Sequence, residues 1–208
     1  MHTRLRAAVT AVASTIALGA LAAPAAQADA LSLGADSCGT EAATQPFSQW
    51  GDTSDYIPVP GGSFESDADA WSLSGGAAVV DGNESFYVNS DTDSRSLSLP
   101  TGSSATSPPM CTSIHRPTFR FFARNTGSRW SNLRVDVLYP GPLGNIRLLH
   151  LGLLSSSSWS PSLPMPVVAN LLSVLPGAST SLAFRFTPTG SAGEWSIDDV
   201  YVDPAARR

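Results

Sequence analysis

"GEWSIDDVYVDP", Gly193 to Pro204, is the stretch on which the reading of this chain turns. Its residues alternate as a half-buried strand does, with Trp195, Ile197 and Tyr201 on one face and Val200 and Val202 on the other. Two adjacent carboxylates, Asp198 and Asp199, interrupt the pattern. Strict alternation puts Asp199 with Ile197 and Tyr201. An ionised carboxylate on an apolar face is costly unless it is paired, hydrogen-bonded or bound to a metal. Something from elsewhere in the chain is therefore expected to meet it.

The flanking sequence supplies more segments of the same kind. "PTFRFFARNTG" (117–127), "SNLRVDVLYPGP" (131–142), "NIRLLHLGLL" (145–154) and "STSLAFRFTPTG" (179–190) all read as strands. Shorter ones follow from "YIPVPGGSFES", "AWSLSGGAAVVDGNESFYVNS" and "SRSLSLP", broken at Gly, Pro and Asn. About ten short strands with such punctuation predict an all-β fold, a two-sheet β-sandwich or a barrel. One segment differs. "PVVANLLSVLPG" spaces Val167, Val168, Leu171, Leu172 and Leu175 as a helix does, which predicts one short helix around 166–175.

Alternation also assigns faces. Phe119, Phe121 and Ala123 are expected inside, with Arg120, Phe122 and Arg124 outside. Phe184 and Phe186 go in and Arg185 out, while Leu133, Val135, Val137 and Tyr139 go in and Arg134 and Asp136 out. The outward charges form either cross-strand ion pairs, worth about 0.2–1 kcal/mol each, or a polar binding face with Phe122 exposed on it.

The start of the chain has a different character. Arg4 and Arg6 precede the Ala-rich apolar run 7–22, and Ala26-Gln27-Ala28 is an A-x-A cleavage pattern. Residues 1–28 are read as a secretory signal peptide, leaving 180 of the 208 residues. Positions 29–55 are polar and small and are expected to be an arm, 56–203 the sandwich domain and 204–208 a tail. In an oxidising compartment the two cysteines, Cys38 and Cys111, are expected to form one disulfide that ties the arm down. A loop of that size stabilises by roughly 4 kcal/mol on the chain-entropy argument.

Charge and motifs narrow the function. The net charge is −5 and every basic residue is Arg, with no basic run, which argues against nucleic acid as a partner. After residue 28 no run approaches the roughly 20 apolar residues of a membrane span. No G-x-S-x-G elbow, H-E-x-x-H pair or phosphate-cradling Gly loop occurs. His150 in "LLHLGL" is expected to be a satisfied core histidine, and His115 a loop residue. Acids such as Glu84 and Glu194 could form a glycosidase pair on composition alone. A binding protein is the reading, not an enzyme.

The acids that could answer Asp198 or Asp199 lie far away. "GGSFES" supplies Glu65, and "VVDGNES" supplies Asp81 and Glu84. Calcium takes six to eight oxygen ligands of this kind. Turn amides or an Arg could satisfy the carboxylates instead.

"PGGSFES" near the start and "WSIDDVYV" as last strand together resemble the galactose-binding-like jelly-roll modules of carbohydrate-binding proteins, loosely over Tyr56 to Asp203. The chain also resembles secreted actinobacterial proteins. The first resemblance implies a jelly roll and a structural calcium held by Glu65 and Asp198, with Asp199 as the alternative. Gly61-Gly62 departs from the Asn-Gly usual at that place. It further implies an extracellular or cell-wall glycan as ligand, met by Trp71, Tyr87, Phe122, Trp130 or Trp159, with Arg120 and Arg185 as polar partners. A protein partner in the envelope is the alternative, and a small hydrolase the next.

Overall fold

The computed structural model describes residues 42–66, 68–112, 118–140, 146–167 and 180–203. The expected leader, Cys38 of the expected disulfide, His115 and positions 168–175 of the expected helix lie outside them. Pro166, where that helix was to begin, belongs to a short strand.

The strands in chain order are β1 (Ile57–Pro58), β2 (Ser72–Ser74), β3 (Ala78–Asp81), β4 (Arg95–Leu99), β5 (Ser104–Thr106), β6 (Met110–Thr112) and β7 (Thr118–Asn125). There follow β8 (Asn132–Pro140), β9 (Ile146–Leu154), β10 (Ser160–Pro161), β11 (Met165–Pro166), β12 (Thr180–Thr189) and β13 (Trp195–Asp203). They make two antiparallel sheets. The first runs β10-β7-β13-β4-β3, with β1 beside β13 and β11 beside β7. The second runs β2-β5-β12-β8-β9, with β6 beside β12. The only helix among the described residues is a single 3-10 turn, Ser48–Trp50. This is the all-β sandwich that the alternation predicts and the jelly roll that the resemblance implies.

The two sheets face each other across one apolar core. Phe119, Phe121 and Ala123 of β7, Trp195 and Ile197 of β13, Leu133, Val135 and Val137 of β8, and Leu182, Phe184 and Phe186 of β12 meet there. Phe119 stacks on Phe184 across the gap with ring centroids 3.9 Å apart, and Phe121 meets Phe186 edge-on at 4.9 Å. Each such side chain contributes roughly 1.5–3 kcal/mol by leaving water.

Alternation fails at one place, the doubled aspartate. In β13, Asp198 stands opposite Phe122 of β7 and Tyr201 opposite Arg120. Asp199 and Val200 therefore share the single partner position of Phe121. This is a β-bulge, and Asp199 occupies the left-handed region with φ of 47°. Asp and Asn tolerate that region better than most residues. The extra residue shifts the phase. Trp195, Ile197, Val200 and Val202 all point into the core, while Asp198 and Tyr201 share the outer face. The expected grouping of Tyr201 with Trp195 and Ile197 is thus corrected.

The "PGG" turn docks onto this bulge. Val59 N–H donates to Val200 O (2.8 Å), and Val200 N–H donates to Gly62 O (3.1 Å). Gly61 has φ of 67°, and a Cβ on Gly62 would lie 2.9 Å from Val59 O and 3.0 Å from Val200 Cβ. Both glycines are required, one for its backbone angle and one for the close approach. The two motifs that flank the domain in sequence thus meet in space.

The described part of the arm is packed down rather than loose. Thr44 and Tyr56 exchange main-chain hydrogen bonds, Thr44 N–H to Tyr56 O at 2.9 Å and Tyr56 N–H to Thr44 O at 2.7 Å. Phe47 and Tyr56 join Phe122 and Tyr201 in a second apolar cluster over the outer face of the first sheet.

Candidate functional site

The outer face of the first sheet is largely sealed. Phe47 stacks on Phe122 at 5.6 Å and meets Tyr201 edge-on at 5.7 Å, and Trp50 packs against Phe122 at 5.3 Å. Arg120 is 4% exposed. Its Nη1 donates to Asp52 Oδ2 (2.6 Å), its Nε donates to Ser162 O (2.9 Å), and its guanidinium sits 4.1 Å above the Phe47 ring. Burial works against ionisation of Asp52, but hydrogen bonds from Tyr56 and Arg120 outweigh it and hold the carboxyl below its usual range. Phe122 and Arg120, expected as ligand residues, therefore serve to fasten the arm. Trp71 is in the main core, its indole N–H donating to Pro60 O at 3.0 Å.

Beside this seal lies the acidic bulge. Asp198 and Asp199 are both buried, as is Glu84. Asp198 Oδ2 accepts from Glu84 N–H (3.0 Å) and Asp198 Oδ1 accepts from Asp199 N–H (2.9 Å). Glu84 accepts the N–H groups of Phe86 and Val88 and so closes its own loop. Glu65 accepts from Ser94 N–H at 2.9 Å and Arg95 N–H at 2.8 Å. These three carboxylates are satisfied by main-chain amides. Asp199 is different: its Oδ2 is buried without a hydrogen-bond partner. Burial pushes Asp198 up to about 9, with the Asp199 charge adding to it. Burial pushes Asp199 up to about 8, with the charges of Glu84 and Asp93 adding. Both aspartates thus carry the conflict that the sequence raised. The group that touches Asp198 is Glu84, not Glu65, which acts on Asp199 only as a charge. Asp81 is exposed on β3, opposite Arg95. Asp93 was not singled out from the sequence, because an acid in "SDTDS" reads as an ordinary loop residue.

A cavity of about 300 Å³ adjoins Asp199, lined by Pro58 to Ser63, Asn89 and Tyr201 among others. Among the described residues no three acids, histidines or cysteines converge into a ready-made metal centre. The donor chemistry still suits a hard cation: an orphaned buried carboxylate oxygen, neighbouring acids, and main-chain carbonyls around the cavity.

The outer face of the second sheet has another character. Thr106 of β5, Arg185 of β12, Asp136 of β8 and His150 of β9 stand in one cross-strand row. Asp136 is buried in its middle. Its Oδ2 accepts from Arg134 Nε (2.8 Å), and its Oδ1 lies 3.2 Å from His150 Nδ1. Arg185 Nε donates to Thr106 Oγ1 at 3.2 Å. Arg134 and His150 keep 42% and 47% of their side-chain surface in water. His150 is thus no core histidine. A bulge in the β8–β9 register between Val135 and Asp136 sets it outward beside that acid. The apolar run "LLHLGL" hid this, because an edge strand tolerates leucines on both faces.

The remaining aromatic candidates are dispersed. Trp130 is 72% exposed in the turn between β7 and β8, Tyr87 is 51% exposed in the loop after β3, and Trp159 is half-buried with the Arg124 guanidinium 4.8 Å from its ring. None of them stands in the cross-strand row of Arg185. Glu84 and Glu194 do not pair either: Glu84 packs over Asp198, while Glu194 is exposed in the turn before β13.

This architecture has solved counterparts. The CBM22-1–GH10 modules of a Clostridium thermocellum xylanase, solved with xylohexaose, superpose with a TM-score of 0.50 at 12% identity, covering 69% of this chain and 28% of that one. The fold is that of a carbohydrate-binding-module jelly roll. A CBM22-1 xylan-binding domain from Paenibacillus barcinonensis matches at a TM-score of 0.46 and 13% identity, over 70% of this chain and 93% of that one. At such identities the likeness concerns the fold. No family model and no curated protein sequence matches the chain. The likeness to secreted actinobacterial proteins gains no support. Among the described residues no helix is long and apolar enough to cross a membrane.

Proposed function

We propose that this protein is a secreted, non-catalytic module that binds an extracellular or cell-wall polysaccharide on the outer face of its second sheet. The observation that carries the reading is the row Thr106, Arg185, Asp136 and His150. It offers hydroxyl, guanidinium and imidazole groups on neighbouring strands about 4.8 Å apart. The corresponding face of the first sheet is covered by the chain's own arm. The likeness in fold to glycan-binding modules agrees with this choice.

The test is affinity electrophoresis and calorimetry against a panel of plant and bacterial polysaccharides. At least one polymer is expected to bind. The variant Arg185→Ala is expected to weaken that binding tenfold or more with its melting temperature unchanged. Absence of binding to every polymer overturns the reading.

A structural calcium belongs to the same proposal. Asp199 would hold it through its unpartnered oxygen, with the free lone pairs of Asp198 and main-chain carbonyls of the "PGGS" turn. A bound ion supplies the positive charge that keeps both aspartates ionised. Millimolar calcium is expected to raise the melting temperature above that in excess chelator, and equal melting temperatures would refute the site.

A further inference from the structure

We propose that the face on the second sheet selects an acidic polysaccharide, one bearing uronate carboxylates, and that Arg185 is the group that takes the carboxylate. The proposal rests on the glycan-binding reading and narrows its ligand class.

Arg134, Arg185 and His150 stand around one acid, Asp136. Asp136 has both oxygens engaged, one by Arg134 and the other by His150. Arg185 is directly opposite Asp136 in the register, yet among the described residues it makes no ion pair and its one hydrogen bond is to Thr106. That bond uses Nε. It orients the guanidinium and leaves both terminal nitrogens unbonded. Two parallel N–H donors on a planar cation are the fork that matches a carboxylate in bidentate fashion. The one acid beside Arg185 is already engaged by Arg134 and His150, so the guanidinium keeps charge to offer an incoming anion.

The shape of the ring of partners agrees. His150 is tied to Asp136 through Nδ1, so Nε2 faces away from the acid on the exposed side of the ring. It is placed to bond a sugar hydroxyl or a second carboxylate oxygen. Aromatic stacking is not the recognition mode here. None of the exposed rings stands in this row: Phe86 and Tyr87 lie in the loop after β3 and Trp130 in the turn before β8. A neutral sugar would find hydrogen bonds on this face but nothing that uses the spare positive charge.

The net charge of −5 does not oppose this. Glu84, Asp93, Asp198 and Asp199 gather at the bulge of the first sheet. Packed sheets are about 10 Å apart, so these acids lie across the core from the row, and burial pushes Asp198 and Asp199 towards their neutral form.

Isothermal titration with polygalacturonate, glucuronoxylan and their carboxyl-reduced forms tests the assignment. The acidic polymers are expected to bind at least tenfold more tightly than the reduced ones, and binding is expected to weaken as sodium chloride rises. Arg185→Ala is expected to abolish the preference, and Arg185→Lys to restore only part of it, with melting temperatures unchanged in both. Equal affinity for acidic and reduced polymers overturns the uronate assignment and leaves the glycan reading standing. Tight binding of a phosphate-bearing polymer alone overturns the assignment as well. Failure of every polymer overturns the glycan reading itself.

Discussion

The tripeptide Phe-Arg-Phe occurs twice, at Phe119-Arg120-Phe121 on β7 and at Phe184-Arg185-Phe186 on β12. Its phenylalanines behave identically. All four enter the inter-sheet core and touch one another across it. Its arginines diverge. Arg120 is buried under the arm, ion-paired to Asp52 and stacked on Phe47. Arg185 stays half-exposed, with Thr106 its one hydrogen-bond partner among the described residues. The same local sequence yields a fastener on one sheet and a free fork on the other. What decides between them is which sheet the preceding chain folds back over.

The most severe way to break this comparison is to remove the part the two strands share. Phe119→Ala and Phe184→Ala each delete one partner of the 3.9 Å stack. Each is expected to destabilise by about 3–5 kcal/mol, read by urea unfolding. Unequal losses would mean that the two tripeptides are not equivalent in the core. Arg120→Ala comes next. It strands the Asp52 carboxylate under the arm, and removal of one partner of a buried pair costs about 3–5 kcal/mol. Asp52 keeps 17% of its side chain in water, so the lower end, about 3 kcal/mol, is expected. The double variant Arg120→Ala/Asp52→Ala should recover part of that loss.

The bulge gives an intermediate effect with a defined pH dependence. Asp198 and Asp199 have folded-state values raised to about 9 and about 8. In the unfolded chain both ionise near pH 4. Between those limits the folded state holds more protons, so stability falls as pH rises. Their contribution is complete below about pH 4 and is lost as pH climbs through 8 and 9. Asp52, held low by Tyr56 and Arg120, acts in the opposite sense and loses its contribution under acid conditions. Calcium-free protein is therefore expected to melt at a higher temperature at pH 5.5 than at pH 8.5. Asp199→Asn should raise stability at pH 8.5 by on the order of 2 kcal/mol and flatten the profile. A profile unchanged by this substitution would show that Asp199 is ionised and already paired.

Alternation made much of this legible. The inward sets on β7, β8 and β12 follow period two without interruption, so the core and the sandwich were readable from Phe119, Val135 and Phe184 alone. The acids announced a special position at the end of the chain. The bulge itself was not readable, because one extra residue leaves no mark in an apolar-polar pattern except a phase that fails two residues later. Glu65 was the expected partner of Asp198 because both lie in recognisable end motifs, but the loop carrying Glu84 comes between. The arm was misjudged for a related reason. "PFSQWGD" has too few apolar residues to read as an element, yet Phe47 and Trp50 need no regular structure to cover a face. His150 was hidden by its leucine neighbours.

The smallest expected effect is the most discriminating. Arg185→Ala removes one hydrogen bond, to Thr106, from a half-exposed position, and nothing is left buried and unpaired when it goes. Substitutions of this kind usually change stability by no more than about 0.5 kcal/mol. Urea midpoints for Arg185→Ala and the unaltered protein should coincide within error, whereas Arg120→Ala shifts by several times that amount. A loss at Arg185 as large as that at Arg120 would mean that its guanidinium is already answered within the chain. The second sheet would then have no cation to spare for a ligand, and both arginines would be fasteners.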